Sequence, residues 1–207
     1  MTIPNTTLYH FTRDYYDDGI DPVTPVLKDI GTAVTTNGIA LFRDDKYIAK
    51  LSPEDAMYFA LLRGNSKQGE LNVRLGKFAG SKEIAMLSAL QNKRKVTVRH
   101  GRNGKVRVVI HARIKGSVQD YIGPLRLSDA RDRRRLEKKL SAQLTNKGNG
   151  LLAFLQKNNV DSAGVGKHVR NSMSYRAWKR LHWREAYPEV GLSCKVDMSI
   201  KDYGKSR

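Results

Sequence analysis

The chain has 207 residues, is 40% hydrophobic and carries 38 Lys/Arg against 20 Asp/Glu, a formal net charge of +18. That length and apolar content suit one sizeable globular unit or two small ones and exclude a disordered chain. No apolar run approaches the ~20 residues of a membrane helix, and a lone cysteine, Cys194, excludes an internal disulfide framework and a cysteine-based zinc cluster.

The start, MTIPNTTLYHF, has neither the basic residues nor the apolar stretch of a secretory signal, so a cytoplasmic location without membrane contact is expected. Charge is unevenly spread. Residues 1–60 hold 5 Lys/Arg against 9 Asp/Glu, and residues 61–207 hold the remaining 33 against 11. No acidic residue lies between Glu83 and Asp120. Confined positive charge of this kind reads as an electrostatic footprint for a polyanion.

In chain order, residues 1–35 are aromatic, acidic and proline-bearing and show no clean periodicity. Gly38–Phe42 and Tyr47–Ala49 predict two short strands around an Asp44-Asp45 turn. Ser52-Pro53-Glu54-Asp55 opens a helix, with Ser52 as N-cap, Pro53 at the first position and acids at the positive end of the dipole. Ala56, Phe59, Ala60 and Leu62 form its apolar side and Gly64 stops it. A second helix is predicted over Lys82–Gln91 behind Ser81, with Ile84, Leu87 and Leu90 apolar.

VTVRHGRNGKVRVVIHARIK, Val96–Lys115, alternates with period 2 and predicts a hairpin. A two-residue Asn103-Gly104 loop would mix the faces. A three-residue Arg102-Asn103-Gly104 loop, with Gly104 left-handed, pairs Val98 with Val108 and Val96 with Ile110. It also sets Arg99 across from Arg107, and like charges directly opposite each other destabilise a sheet. A third strand is expected near Tyr121-Ile122.

Ser128-Asp129 caps the helix ARDRRRLEKKLSAQL, whose seam is Ala130, Leu136, Leu140 and Leu144. Asn146-Lys147-Gly148-Asn149-Gly150 reads as the chain's best linker. Three short helices should follow: one with Leu151, Leu152, Phe154 and Leu155, one after Asp161-Ser162, and one from Ser174 to Tyr187-Pro188. Leu192–Ile200 reads as a strand. YIAKLSPEDA at 47–56 echoes YIGPLRLSDA at 121–130, read as common turn chemistry repeated by chance before an old duplication of a strand–strand–helix unit.

The expected fold class is α+β, with small antiparallel sheets and packed helices, then a C-terminal helical segment open to a helix-turn-helix reading. The expected units are an acidic segment 1–66, a basic hairpin-plus-helix region 67–147 and a helical subdomain 148–207.

AGVGKH at 163–168 is not a Walker A loop: Asp161 stands where the first glycine belongs and His168 where Ser or Thr belongs. LYHFT at 8–12 is similar to the opening strand of ADP-ribosyltransferase-type folds, where a histidine would hold the dinucleotide, but no partner motif follows. Asp21 with Asp44 and Lys46 loosely resembles the PD-(D/E)xK nuclease pattern, whereas Asp44-Asp45 is ordinary turn chemistry. The five histidines have no metal-ligand spacing, and Cys194 reads as a small buried hydrophobe. The stretch IHARIK to EKKL is similar to the arm-type DNA-binding domain of phage tyrosine recombinases. The remaining chain cannot hold their catalytic domain and lacks His-x-x-Arg, so no membership follows.

The residues alone thus point to a non-catalytic nucleic-acid-binding protein, DNA before RNA, of the phage or plasmid regulatory or accessory type, including transcription regulation. The expected phosphate contacts are Arg99, Arg102, Lys105, Arg107, His111, Arg113 and Lys115 on the hairpin. Arg131, Arg134, Arg135 and Lys138 would add to them from the charged helix, and Arg176, Lys179, Arg180 and Arg184 from the last helix. A metal-dependent nuclease or other nucleic-acid-processing enzyme, and an RNA-binding structural protein of a ribonucleoprotein, are the alternatives. No cofactor or metal is expected. The acidic N-terminal segment is free to pack on the basic part, mask it or recruit a protein partner. Oligomeric state stays open.

Overall fold

The computed structural model describes residues 7–64, 69–101 and 104–203. The chain opens with α1 (Leu8–Tyr15), followed by an antiparallel sheet of β1 (Val23–Asp29), β2 (Val34–Arg43) and β3 (Lys46–Leu51) in that order. Helix α2 (Pro53–Arg63) leads to a second sheet, β4 (Leu71–Phe78), β5 (Ser81–His100) and β6 (Val106–Ile122). The long helix α3 (Ala130–Lys157), the short α4 (Val165–Arg170), α5 (Tyr175–Leu181) and α6 (Trp183–Ala186) and a 3-10 turn at Tyr187–Glu189 come next. Strand β7 (Gly191–Tyr203) closes the sheet order β4-β5-β6-β7, parallel to β6.

Local chemistry places several elements where the sequence puts them. Ser52 accepts from the Asp55 N–H, Pro53 begins α2, and Gly64 ends it at φ 81°. Across β5 and β6, Val96 pairs with Ile110, Val98 with Val108 and Arg99 with Arg107, and Gly104 has φ 70°. Val106, Val108, Ile110, Ile114 and Val118 of β6 turn inward, onto a core shared with Phe59 and Leu62 of α2 and Leu136, Leu140, Leu144 and Leu152 of α3. Each fully buried side chain of this size contributes about 1.5–3 kcal/mol.

The expected α+β arrangement with a C-terminal helix-turn-helix does not hold. Over the described residues the protein is mostly β, with seven strands in two sheets, its principal helix lies mid-chain, and its last described element is a strand. The stretch expected as a helix, Lys82–Gln91, lies within β5. Ala89 takes φ 49° and the register with β6 shifts between Ser88 and Gln91, so the buried side chains run Glu83, Ala85, Leu87, then Leu90. A bulge that inserts a residue turns a spacing of two into three and imitates a helical stripe. The helix-turn-helix fails because Trp178, Trp183 and Tyr187 all turn inward and pack ring on ring, with centroids 5.7 and 5.5 Å apart. A left-handed His182 at φ 46° breaks the helix between the two tryptophans. LYHFT is helical in α1, where the His10 ring and the Thr7 side chain form a capping box rather than a strand end.

The expected linker, Asn146–Gly150, lies inside α3. Its composition serves the partner strand. The N–H groups of Cys194, Val196, Met198 and Ile200 point away from β6 and donate to Asn149 Oδ1 (2.8 Å), Thr145 Oγ1 (3.0 Å), Ser141 Oγ (2.9 Å) and Glu137 Oε1 (2.8 Å). Four helical residues rise about 6.0 Å and two strand residues advance about 6.6 Å, so the two ladders stay in step. The helix thereby closes the β7 edge, which would otherwise be open to another strand. A Cβ on Gly148 would lie 2.6 Å from Cys194 Sγ, which is why this close approach needs glycine, whereas Gly150 faces open space. Gly148→Ala is expected to lower stability in urea unfolding, and Gly150→Ala to raise it by about 0.5–1 kcal/mol.

Candidate functional site

Two features carry the molecule's polar chemistry: a joint between the acidic N-terminal segment and the C-terminal helices, and the outer face of the four-stranded sheet.

Asp161 is the centre of the joint. It is 3% exposed, and its carboxylate accepts from the N–H groups of Val165 (3.0 Å) and Gly166 (2.7 Å) and from Trp183 Nε1 (3.2 Å). Its own backbone N–H donates to Asp21 Oδ2 (2.6 Å), and its carbonyl accepts from the Asp21 N–H (3.1 Å). Burial outweighs the three N–H donors and pushes the Asp161 carboxyl up to about 7, with the Asp21 carboxylate adding to the rise. Burial raises Asp21 as well. Close packing seals the joint. A Cβ on Gly166 would sit 2.4 Å from Trp183 Nε1, and one on Gly19 would sit 2.4 Å from the Lys167 N.

Ion pairs flank this centre on the exposed side. Asp17 meets Arg170 (2.9 Å) and Lys167 (3.4 Å), Asp18 meets Lys179 (3.1 Å), and Arg184 lies between Asp44 and Asp21 (3.9 Å). Burial alone would raise Asp17, but the Gly19 N–H, Lys167 and Arg170 outweigh it and hold the carboxyl below its ordinary range. A cleft of about 390 Å³ opens between these groups, lined by Asp18, Asp44, Trp178, Lys179 and Arg184 among others. Exposed pairs contribute little one by one, being screened by solvent, but together they fix which segments meet.

This joint changes the meaning of the C-terminal charge. Lys179 and Arg184, expected to face phosphate, are neutralised by carboxylates of the N-terminal segment. Arg176 and Arg180 are exposed on α5, a short helix whose Trp178 side is buried. The carboxylates expected to imitate a nuclease are committed elsewhere, Asp21 to the Asp161 N–H and Asp44 to Arg184. Among the described residues no three His, Cys, Asp or Glu side chains group to hold a metal.

The outer sheet face is different. Lys93 pairs with Arg113, Lys95 with His111 and Arg99 with Arg107, three basic pairs directly opposed. On the β7 side Lys195 lies beside His111, and Asp197 beside Arg113. Lys93, Lys95, Arg99, Arg107, Arg113 and Lys115 are all exposed, and among the described residues none of these six has a carboxylate partner. Lys105 sits at the hairpin tip, and Arg102 lies outside the described residues. Helix α3 buries Leu136, Leu140, Leu144 and Leu152 in the core and caps the β7 edge, and Arg131, Arg134, Arg135 and Lys138 lie exposed on it. Arg135 is partly occupied by Asp132 at 3.2 Å.

Sequence reasoning passed over Asp161, Glu83 and Arg94. Glu83, 3% exposed on β5, accepts from Lys139 (2.9 Å) and Tyr121 (2.6 Å); these bonds outweigh burial and hold its carboxyl low. Arg94 donates to the Ala163 carbonyl (2.9 Å), and burial lowers it to about 10. The only local signal was Asp161 standing just ahead of a glycine-flanked helix start, an ordinary cap.

The family described as "Spore germination B3/ GerAC like, C-terminal" matches residues 37–204. The spore germination protein GerQC of Bacillus cereus is 26% identical over 203 residues, which is 98% of this chain and 55% of that protein. The chain therefore spans about half the length of this curated relative. The crystal structure of the GerBC protein shares the fold, with a TM-score of 0.71 at 18% identity over 90% of this chain and 58% of that one. These findings overturn the expectation of a DNA-binding regulator with nucleic acid as its partner, and its nuclease and ribonucleoprotein alternatives. Net charge reports an electrostatic field, not the identity of what answers it, and part of that charge is answered within the chain. The match over 37–204 establishes that this chain belongs to the spore germination B3/GerAC-like C-terminal family.

Proposed function

We propose that the chain acts in spore germination as a non-catalytic docking component of a protein assembly. The observation that carries this reading is the family match over 37–204, and the distribution of charge supports it. The acidic segment and the C-terminal helices are joined by their own ion pairs, while one sheet face carries opposed basic pairs with no carboxylate partner among the described residues. A preformed face of this kind binds without ordering first, which lowers the entropic cost of association.

The reading is tested by deleting the coding gene in the host. Vegetative growth and spore yield should be unchanged and germination, followed as loss of refractility, should slow. Spores that germinate at the parental rate would refute it.

A further inference from the structure

We propose that the outer face of the β4–β7 sheet, centred on Lys95, Arg99, His111 and Arg113, is the docking surface for an acidic surface of a partner protein. This rests on the docking reading above and names its surface.

Three observations converge on this face. First, the opposed pairs Lys93–Arg113 and Arg99–Arg107 put like charges directly across from each other, with Lys95 across from His111 between them. Such pairs weaken a sheet, and nearby neutral positions show that the strands do not require them: Thr97 lies across from Val109 between two of the pairs. Surface charge kept for solubility mixes signs, yet β5 and β6 carry no acidic residue between Glu83 and Asp120, and the face's one carboxylate there, Asp197, comes from β7. Second, at the joint with the N-terminal segment the chain neutralises basic residues with partners distant in sequence, as Asp17, Asp18 and Asp44 do for Arg170, Lys179 and Arg184. Across β5 and β6 the basic pairs receive no such partner among the described residues. Third, the β7 edge is closed by the side chains of α3. A partner on this side of the molecule meets side chains on the face rather than adding a strand.

The partner chemistry follows from what lies between the cations. Thr97, Gln91, Ser193 and Ser199 offer hydroxyls and an amide at neighbouring positions of the same face, and they suit a surface of carboxylates and polar groups. Farther along the same face Ile84 pairs with Ile122, and Met86, 37% exposed, lies across from Asp120. A charged area bordering an apolar one is the anatomy of a protein interface. An anionic bilayer fits less well. Neighbouring strands rotate by about 20–25°, so a long ribbon is saddle-shaped and meets a plane over part of its length only. No aromatic side chain stands among the cations to anchor in an interface.

The test uses the full chain in spores, with a photo-crosslinking residue at Thr97 and, as control, at Arg134 on α3. Thr97 should give an adduct with one protein, through peptides rich in Asp and Glu, and Arg134 should not. Lys95→Glu/Arg99→Glu/Arg113→Glu should reduce that adduct about tenfold or more, since like-charge juxtaposition costs several kcal/mol. Arg131→Glu/Arg134→Glu/Lys138→Glu should leave it intact. The purified Arg99→Thr variant should melt about 1–3 °C above the parent, because it removes repulsion the free chain carries. No adduct at Thr97, an adduct that survives the charge reversal, or co-sedimentation with phosphatidylglycerol vesicles that the reversal abolishes would overturn the assignment. The failures are distinguishable. Normal germination after gene deletion sinks the docking reading itself, whereas germination that needs the chain but tolerates the reversal sinks only this surface.

Discussion

Asp161→Ala is expected to destabilise the protein by about 3 kcal/mol or more, because it strands several buried donors at once. The Val165 and Gly166 N–H groups and Trp183 Nε1 would lose their acceptor in a place that water cannot reach without opening the joint. Asp161→Asn keeps one carbonyl oxygen for those donors and should cost less, about 1–2 kcal/mol. Urea unfolding at fixed pH measures both. The pH dependence carries a second signature. Burial holds the folded-state carboxyl at about 7, above the roughly 3.9 of an unfolded aspartate. A carboxyl raised on folding contributes stability that is fully present below about pH 4 and lost as the pH rises through about 7. Asp21, also raised by burial, acts in the same sense, and Asp17, held low, acts in the opposite one. The difference between parent and Asp161→Asn isolates the group: the penalty of the substitution should be larger at pH 5 than at pH 8. A penalty independent of pH would show that Asp161 stays ionised throughout.

The second large effect is expected at the α3–β7 ladder. Ser141→Ala/Thr145→Val leaves the N–H groups of Met198 and Val196 without acceptors on a strand packed against the core. Each stranded donor costs about 1–3 kcal/mol when buried, so the pair should lose about 2–4 kcal/mol in urea unfolding. Thr145→Ser retains the hydroxyl and should cost much less. Amide hydrogen exchange gives the independent readout. Exchange at Val196 and Met198 should accelerate in the double variant while Val108 and Ile110, bonded within the sheet, change less. Uniform acceleration would mean that the side-chain ladder does not hold the edge.

Legibility from sequence followed the distance over which each cause acts. Helix α2 was readable because Ser52, Pro53 and Gly64 act on their own neighbours. The hairpin register was readable because the alternation of Val106, Val108 and Ile110 admits only one loop length that keeps the faces apart. The bulge at Ala89 was not readable, since it is set by pairing with β6 and leaves Leu87 and Leu90 at a helical spacing. Residues 146–150 were misread for a related reason. Gly148 is there to admit Cys194, and Asn149 to receive its N–H, so linker-like composition records a contact with a strand 45 residues on. The acids at 14–21 show no periodicity because they answer cations such as Arg63, Arg170 and Lys179. The basic face itself was legible from alternation and charge. Its partner was not, because a row of cations specifies only the sign of what it meets.

The most direct test of the account is germination of a strain lacking the gene, complemented either with the parent chain or with Lys95→Glu/Arg99→Glu/Arg113→Glu. The account predicts slow germination without the gene, restoration by the parent and by the α3 reversal Arg131→Glu/Arg134→Glu/Lys138→Glu, and no restoration by the sheet-face reversal. Parental germination rates in the strain lacking the gene would contradict it.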